Sequence, residues 1–153
     1  KTVASGAVYL PGIGKNHAIQ VRGAFQKELL SNSYQFSDTF VYPRGYNAPA
    51  NDQVTSLAVN YGLPLFYPDA GLFGITYFKR VRANLFYDYA MTERLMAKIK
   101  TTYRSAGVEL IFDNTFLNIL PLSIGLRNSF LLDKDPINPN QSFHFGIFVS
   151  TGL

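Results

Sequence analysis

The feature that most constrains this chain is a period-two alternation of apolar and polar residues, repeated in segments about ten residues long. From Leu122 to Leu132, Leu122, Ile124, Leu126, Phe130 and Leu132 share one parity with Asn128, while Ser123, Gly125, Arg127 and Ser129 take the other. Successive side chains of a strand point to opposite faces, so this is a strand with one oily and one wet side. Phe143, Phe145, Ile147 and Val149 repeat the pattern against Ser142, His144, Gly146 and Ser150, with Phe148 as the one apolar intruder on the wet side. Ile19, Val21 and Phe25 alternate with Gln20, Arg22 and Gln26, and Leu57, Val59, Tyr61 and Leu63 with Ala58, Asn60 and Gly62. From Val81 to Tyr89, Arg82, Asn84, Phe86 and Asp88 share the second face, and from Val108 to Asp113, Glu109, Ile111 and Asp113 do. A weaker strand is expected over Val3 to Leu10. The chain is read as all-β.

Strands of this length, when tilted, are long enough to cross a bilayer. The wet face carries Arg22, Arg82, Asn84, Asp88, Glu109 and Arg127, which a dry sandwich core could not accommodate. A soluble sandwich with its oily faces packed together produces the same alternation, and that reading stays open. Aromatics near strand ends, at Tyr9, Phe66, Tyr67, Phe73, Tyr77, Phe78, Tyr103, Phe116 and Phe143, favour the membrane reading, because the aromatic girdles of membrane barrels sit there.

Composition narrows the choice further. Only 16% of the 153 residues are charged, and 13 Phe and 10 Tyr are present, so a disordered chain and a charged coiled coil are excluded. With no Cys, thiol catalysis, thiolate metal sites and disulfide scaffolds are excluded, and the redox compartment stays open. No run approaches the roughly 18 apolar residues of a membrane helix. Lys1 to Leu10 do not read as a signal peptide, so either processing has removed one or Lys1 lies inside a longer parent chain.

The breaks between strands are of two kinds. Pro11 to Asn16 forms a compact turn, and Phe116 to Pro121 and Asp133 to Asn140 are further breaks. The stretch from about 30 to 52 is long, shows no alternation and holds Tyr42-Pro43-Arg44-Gly45-Tyr46-Asn47-Ala48-Pro49, the size of loop that has a function or is disordered. Leu95, Met96 and Ile99 after Thr92 have helical spacing, which predicts a short helical turn over Thr92 to Lys100.

The order of motifs resembles the C-terminal half of the BamA superfamily of outer-membrane barrels. Arg44-Gly45-Tyr46 is similar to the family's Arg-Gly-aromatic loop motif, Leu63-Pro64-Leu65 to its pre-proline strand segment, and Phe86-Tyr87-Asp88 to its Phe-Phe-Asp-like strand motif. The resemblance covers nearly the whole chain and implies an antiparallel transmembrane β-barrel, of which these residues supply about the last seven of sixteen strands. It implies a single domain portion over 1-153, with the loop at about 30-52 folded into the lumen.

It also implies that Arg44 pairs with Asp88, which shares its inward parity with Arg82 and Asn84; Asn60 and Arg82 are the further lumenal partners. A guanidinium can bind a carboxylate through two parallel hydrogen bonds and so anchor the loop, with Gly45 allowing a close approach to the wall. Without the family, Arg44 reads as a solvated loop charge and Asp88 as an ordinary polar residue. Relatives often carry an acid where Asn60 stands, so a thinner lumenal network is expected here. Phe145, Gly146 and Val149 resemble the C-terminal strand signal read by the barrel-assembly machinery, although the chain stops at Leu153 without a terminal aromatic.

The family role is insertion or translocation of polypeptides at the bacterial outer membrane. The implied partners are outer-membrane lipid, the missing N-terminal part of the barrel or a periplasmic domain, and unfolded or secreted polypeptides. A stand-alone eight-stranded barrel with a structural or adhesion role, and a soluble β-sandwich binding module, are the alternatives.

No enzyme, cofactor or metal is expected. His17 and His144 lack a third ligand at a recognisable spacing, Asp133-Lys134-Asp135 lacks the closing Glu of a calcium loop, and Gly12-Ile13-Gly14-Lys15 is too short for a phosphate loop. Nucleic acid is not an expected partner of Lys79, Arg80 and Arg82, since Arg82 faces inward by parity; acidic lipid headgroups are the commoner reason for such a cluster.

Overall fold

The computed structural model describes residues 2–27, 42–47, 52–94, 98–117, 119–135 and 138–151. Among them are eight strands, β1 (Thr2–Pro11), β2 (Ala18–Lys27), β3 (Gln53–Phe66), β4 (Ala70–Leu72), β5 (Thr76–Arg94), β6 (Ile99–Phe116), β7 (Leu120–Leu131) and β8 (Phe143–Thr151). They form one antiparallel sheet in the order β1-β2-β3-β5-β6-β7-β8, with β4 pairing only β5. Every long strand thus lies beside its neighbour in sequence, the arrangement that short connections favour. β1 and β8 are the two edges and are not joined to each other, and no second layer covers the sheet among the described residues.

β3 leaves β5 after a register shift between Pro64 and Phe66, and β4 then takes up the same side of β5 from Ala70 to Leu72. Proline lacks the N–H that a ladder needs, which fits the irregularity at that point.

Each segment read as alternating is a strand, and the two faces divide as their parity predicts. Ala83, Leu85, Tyr87 and Tyr89 of β5 lie opposite Leu110, Val108, Ala106 and Arg104 of β6 on one face; Asn84, Phe86 and Asp88 lie opposite Glu109, Gly107 and Ser105 on the other. The polar face is the better covered one: Asp88 and Glu109 are 2% and 4% exposed, whereas Ile147 on the oily face is 66% exposed. The sheet curls around its polar face, since Tyr9 of β1 and Phe148 of β8 line one cavity of about 430 Å³.

Two expectations need correction, and a third lies mostly outside the described residues. Thr92, Glu93 and Arg94 belong to β5, paired with Thr101, Lys100 and Ile99 of β6, so no helical turn spans Thr92 to Lys100 among the described residues. β-Branched Thr92, Ile99 and Thr101 gain more from a cross-strand ladder than from an isolated helical turn, which is costly to nucleate; Leu95 and Met96 lie outside the described residues. Tyr9 and Tyr103 do not belong to an outward aromatic girdle: Tyr9 bonds Gln20 on the inner face, and Tyr103 is buried against Tyr46. Most of the loop at 30-52 lies outside the described residues, apart from 42–47 and Asp52.

Phe148, the apolar intruder on the wet face, has a local cause. It sits opposite Gly125 of β7, and a Cβ at Gly125 would fall within the Phe148 ring. Phe86 and Gly107 form the same kind of pair between β5 and β6. A flat ring laid over a glycine on the neighbouring strand shields that strand's bare backbone.

Candidate functional site

The inner face is built around the short segment Tyr42–Asn47, which folds over the sheet and sets Arg44 against it. Arg44 Nε and Nη2 donate to Asp88 Oδ2 and Oδ1, each at 2.7 Å, and the Arg44 backbone N–H donates to Asp88 Oδ2 at 3.0 Å. One carboxylate therefore fixes both the side chain and the backbone of the loop residue. Nη2 also donates to Asn60 Oδ1 at 2.7 Å, and Nη1 to Glu109 Oε1 at 3.2 Å. The guanidinium lies 3.7 Å from the centroid of the Phe86 ring, a cation–π stack. Burial opposes the Arg44 charge, but Asp88 and Glu109 outweigh it and raise its pKa above the ordinary arginine value.

Glu109, on β6, was not among the residues singled out for the site, and it changes the character of the network. Besides Arg44 it accepts from Arg127 Nε at 2.6 Å and, through Oε2, from Asn84 Nδ2 at 2.7 Å. Two arginines and two acids are thereby interleaved, so the local charges cancel while each stays bonded, as buried charges must be. The network joins Arg44, Asp88, Asn60, Asn84, Glu109 and Arg127. Arg127 continues the chain of contacts, with Cζ 4.7 Å from the Phe148 ring of β8. The loop arginine is thus connected through Glu109 and Arg127 to the last strand.

Arg82 lines the same cavity but belongs to a second cluster. Its Nε donates to Asp113 Oδ2 at 3.0 Å, Arg80 bonds the same oxygen, and Ser123 Oγ donates to Asp113 Oδ1 at 2.6 Å. Arg82 is therefore not a partner of Arg44. The separation follows from register: six residues along β5 from Asp88 carry Arg82 well beyond the reach of a guanidinium.

Gly45 and Tyr46 carry the loop toward the β7–β8 end of the sheet. Gly45 has φ +93°, a left-handed conformation that glycine adopts without steric cost, and a Cβ there would stand 2.9 Å from Ser129 Cβ and 2.8 Å from Leu131 Cδ2. The loop backbone consequently lies directly on β7. The Tyr46 hydroxyl lies 2.8 Å from the carbonyl oxygens of both Arg104 and Asp133, sharing its proton between them, and accepts from the Asp133 N–H at 3.0 Å. Its ring packs edge-on against Tyr103, 5.2 Å between centroids. Burial raises the pKa of the Tyr46 hydroxyl and so favours the neutral, donating form.

The residues of the proposed C-terminal strand signal lie on β8, with Phe145 and Val149 outward and exposed and Gly146 inward. His17 and His144 are apart: His17 Nδ1 lies 2.6 Å from the Tyr61 hydroxyl beside the β1–β2 turn, while His144 sits near Gly45. The arrangement can hold a loop rigidly across the inner face of the sheet. No family model, curated protein or solved structure matches this chain.

Proposed function

We propose that this chain is the C-terminal part of an outer-membrane β-barrel of the BamA type, which helps to insert or translocate polypeptides at the bacterial outer membrane. The observation that carries the proposal is the reversal of polarity across one sheet: Asp88 and Glu109 are covered while Leu85, Ile124, Phe145, Ile147 and Val149 face outward. Exposed apolar strands around a polar, charge-balanced interior suit hydrocarbon outside and a wet lumen inside.

The residues resembling the family's loop motif support the more specific assignment, because Arg44 is bound by Asp88 of the strand motif and Gly45-Tyr46 rest on β7 and its outgoing connection. In this reading lipid covers the oily face, upstream strands of the parent chain complete the barrel, and an unfolded polypeptide is the substrate. The Arg44 network acts as a brace: it holds the loop against β5 and β6 and, through Arg127 and Phe148, against β8 at the sheet edge. An unpaired β8 edge can template an incoming strand by main-chain hydrogen bonding.

The test uses the full parent protein with Arg44→Ala, monitored for membrane fractionation and for the assembly or export of outer-membrane polypeptides. Loss of assembly with retained membrane insertion supports the brace. Native protein recovered in buffer as a detergent-free monomer ends the barrel reading, and unimpaired assembly with an equally protected loop removes Arg44 from the mechanism.

A further inference from the structure

The two ends of the sheet differ in chemistry. Between β7 and β8 the described connecting residues are polar apart from Leu132 and Pro139, whereas between β5 and β6 the sequence reads Leu95-Met96-Ala97-Lys98, of which Lys98 is described. On that side the oily face stops at ion pairs: Arg104 to Asp133 at 2.8 Å and Lys100 to Glu93 at 3.6 Å. At the opposite end each hairpin projects a large apolar side chain. Ile13 of the β1–β2 turn is 97% exposed, Phe73 between β4 and β5 is 91%, and Ile119 between β6 and β7 is 84%.

Turn tips in water favour Gly, Asn, Asp and Ser, and for two of these tips the backbone also disfavours what is there. Phe73 and Gly74 have φ +49° and +72°, with the Ile75 N–H bonded to the Leu72 carbonyl at 2.9 Å, the pattern of a type I′ turn that normally takes Asn-Gly. Leu117 also has a positive φ, +50°, and its N–H donates to the Ile75 carbonyl at 2.7 Å, which ties the β4–β5 and β6–β7 tips together. A bulky residue in left-handed conformation and in contact with solvent is doubly unfavourable in a protein surrounded by water. An amphiphilic surrounding removes half of that penalty.

Charge indicates which surrounding. At this end Arg80 and Arg82 share the single carboxylate of Asp113, so the cluster keeps one net positive charge, and Asp69 is bonded to Tyr77. Lys15, two residues from Ile13, and Lys79, next to Phe78, are in no ion pair among the described residues. Apolar tips flanked by free lysines match a lipid surface with anionic headgroups, where side chains enter the acyl boundary and ammonium groups remain at the phosphates. We propose that the Ile13, Phe73 and Ile119 tips form a membrane-interface anchor for anionic phospholipid, with Lys15 and Lys79 at the headgroups. This anchor rests on the barrel reading above, whose lipid-facing side it extends to the turn tips.

The test places a spin label, through Ile13→Cys, Phe73→Cys or Ile119→Cys, in the full parent protein freed of other cysteines and reconstituted into phosphatidylcholine nanodiscs with or without phosphatidylglycerol. Ile147→Cys, in the middle of β8, reports separately on the hydrocarbon face. The tip labels should be several-fold less accessible to an aqueous nickel chelate than a label at Asn140→Cys, and accessible to oxygen. Phosphatidylglycerol should deepen them, and Lys15→Gln with Lys79→Gln should abolish that response.

Tip labels as open to nickel as the Asn140 position, with the Ile147 label in hydrocarbon, overturn the anchor and leave the barrel standing. Tip labels closed to both reagents mean that protein covers them, which also overturns it. An Ile147 label in water defeats the barrel reading, and the tip labels then decide the anchor on their own.

Discussion

Arg44 and Asp88 meet through two parallel hydrogen bonds of 2.7 Å, with a third from the Arg44 backbone N–H to the same carboxylate. A bidentate contact of this kind fixes orientation as well as proximity, and the backbone bond locks the loop itself rather than only its side chain. Substituting Asp88→Asn replaces the bidentate carboxylate by a neutral amide and leaves Arg44 the longer contact with Glu109. The expected cost is about 1–3 kcal/mol, expressed as release of the loop at 42–47. Arg44→Lys should fail to preserve the contact, because an ammonium cannot make the planar two-bond fork. Limited proteolysis of the loop is the measurement; wild-type resistance in either variant would contradict the anchoring role.

Glu109 joins two arginines that come from different parts of the chain, Arg44 and Arg127. Glu109→Gln should therefore loosen both the loop and the contact of Arg127 with Phe148. A double-mutant cycle between Arg44→Ala and Arg127→Ala should give a coupling energy of about 0.5–3 kcal/mol in the presence of Glu109 and close to none in its absence. Additivity in the wild-type background would mean that the shared carboxylate transmits nothing.

Gly125 is a test of the ring-over-glycine arrangement. Gly125→Val places a branched side chain where the Phe148 ring lies, and overpacking of this type costs about 1–3 kcal/mol. Phe148→Ala in the same chain should recover part of the loss by vacating the space, as read from thermal unfolding. Equal destabilisation in the single and double variants would show that Phe148 is not what the glycine accommodates.

The pH dependence of the β7–β8 connection follows from Asp133. The hydrogen bond from Arg104 lowers its carboxyl pKa below the usual aspartate value, and Asp133 lies beyond the end of β7. A carboxylate stabilised in the folded state contributes above its ordinary pKa, and that contribution disappears as the pH falls through the lowered one. Hydrogen-exchange protection around Leu132 to Gln141, taken relative to the intrinsic rate at each pH, should stay constant from neutrality to about pH 4 and fall below it. The Asp133→Asn variant should lack this acid limb; an unchanged limb would assign it to another carboxylate.

Much of the fold was present in the alternation itself. Where apolar and polar residues alternate from Leu122 to Phe130, Asn128 apart, or from Phe143 to Val149, Phe148 apart, the period of the strand leaves no freedom about which side chains share a face. Parity also put Asp88 on the inner side, and with the motif order it singled out Arg44, Gly45 and Tyr46. Thr92 to Lys100 was misread because a few residues with helical spacing carry little information until a neighbouring strand is available to pair with them.

Register was not legible. Parity assigned Glu109, Arg82 and Arg127 to one face, but only the pairing of β5 with β6 and of β6 with β7 sets Asn84 and Arg127 opposite Glu109 and leaves Arg82 to Asp113. The Phe148 exception likewise made sense only beside Gly125. The amino-acid sequence determined strand, face and sign of charge, because these depend on near neighbours along the chain. Which charges meet was decided by the tertiary structure, because a hydrogen bond depends on ångström-scale position, and that is set by how one strand slides against the next.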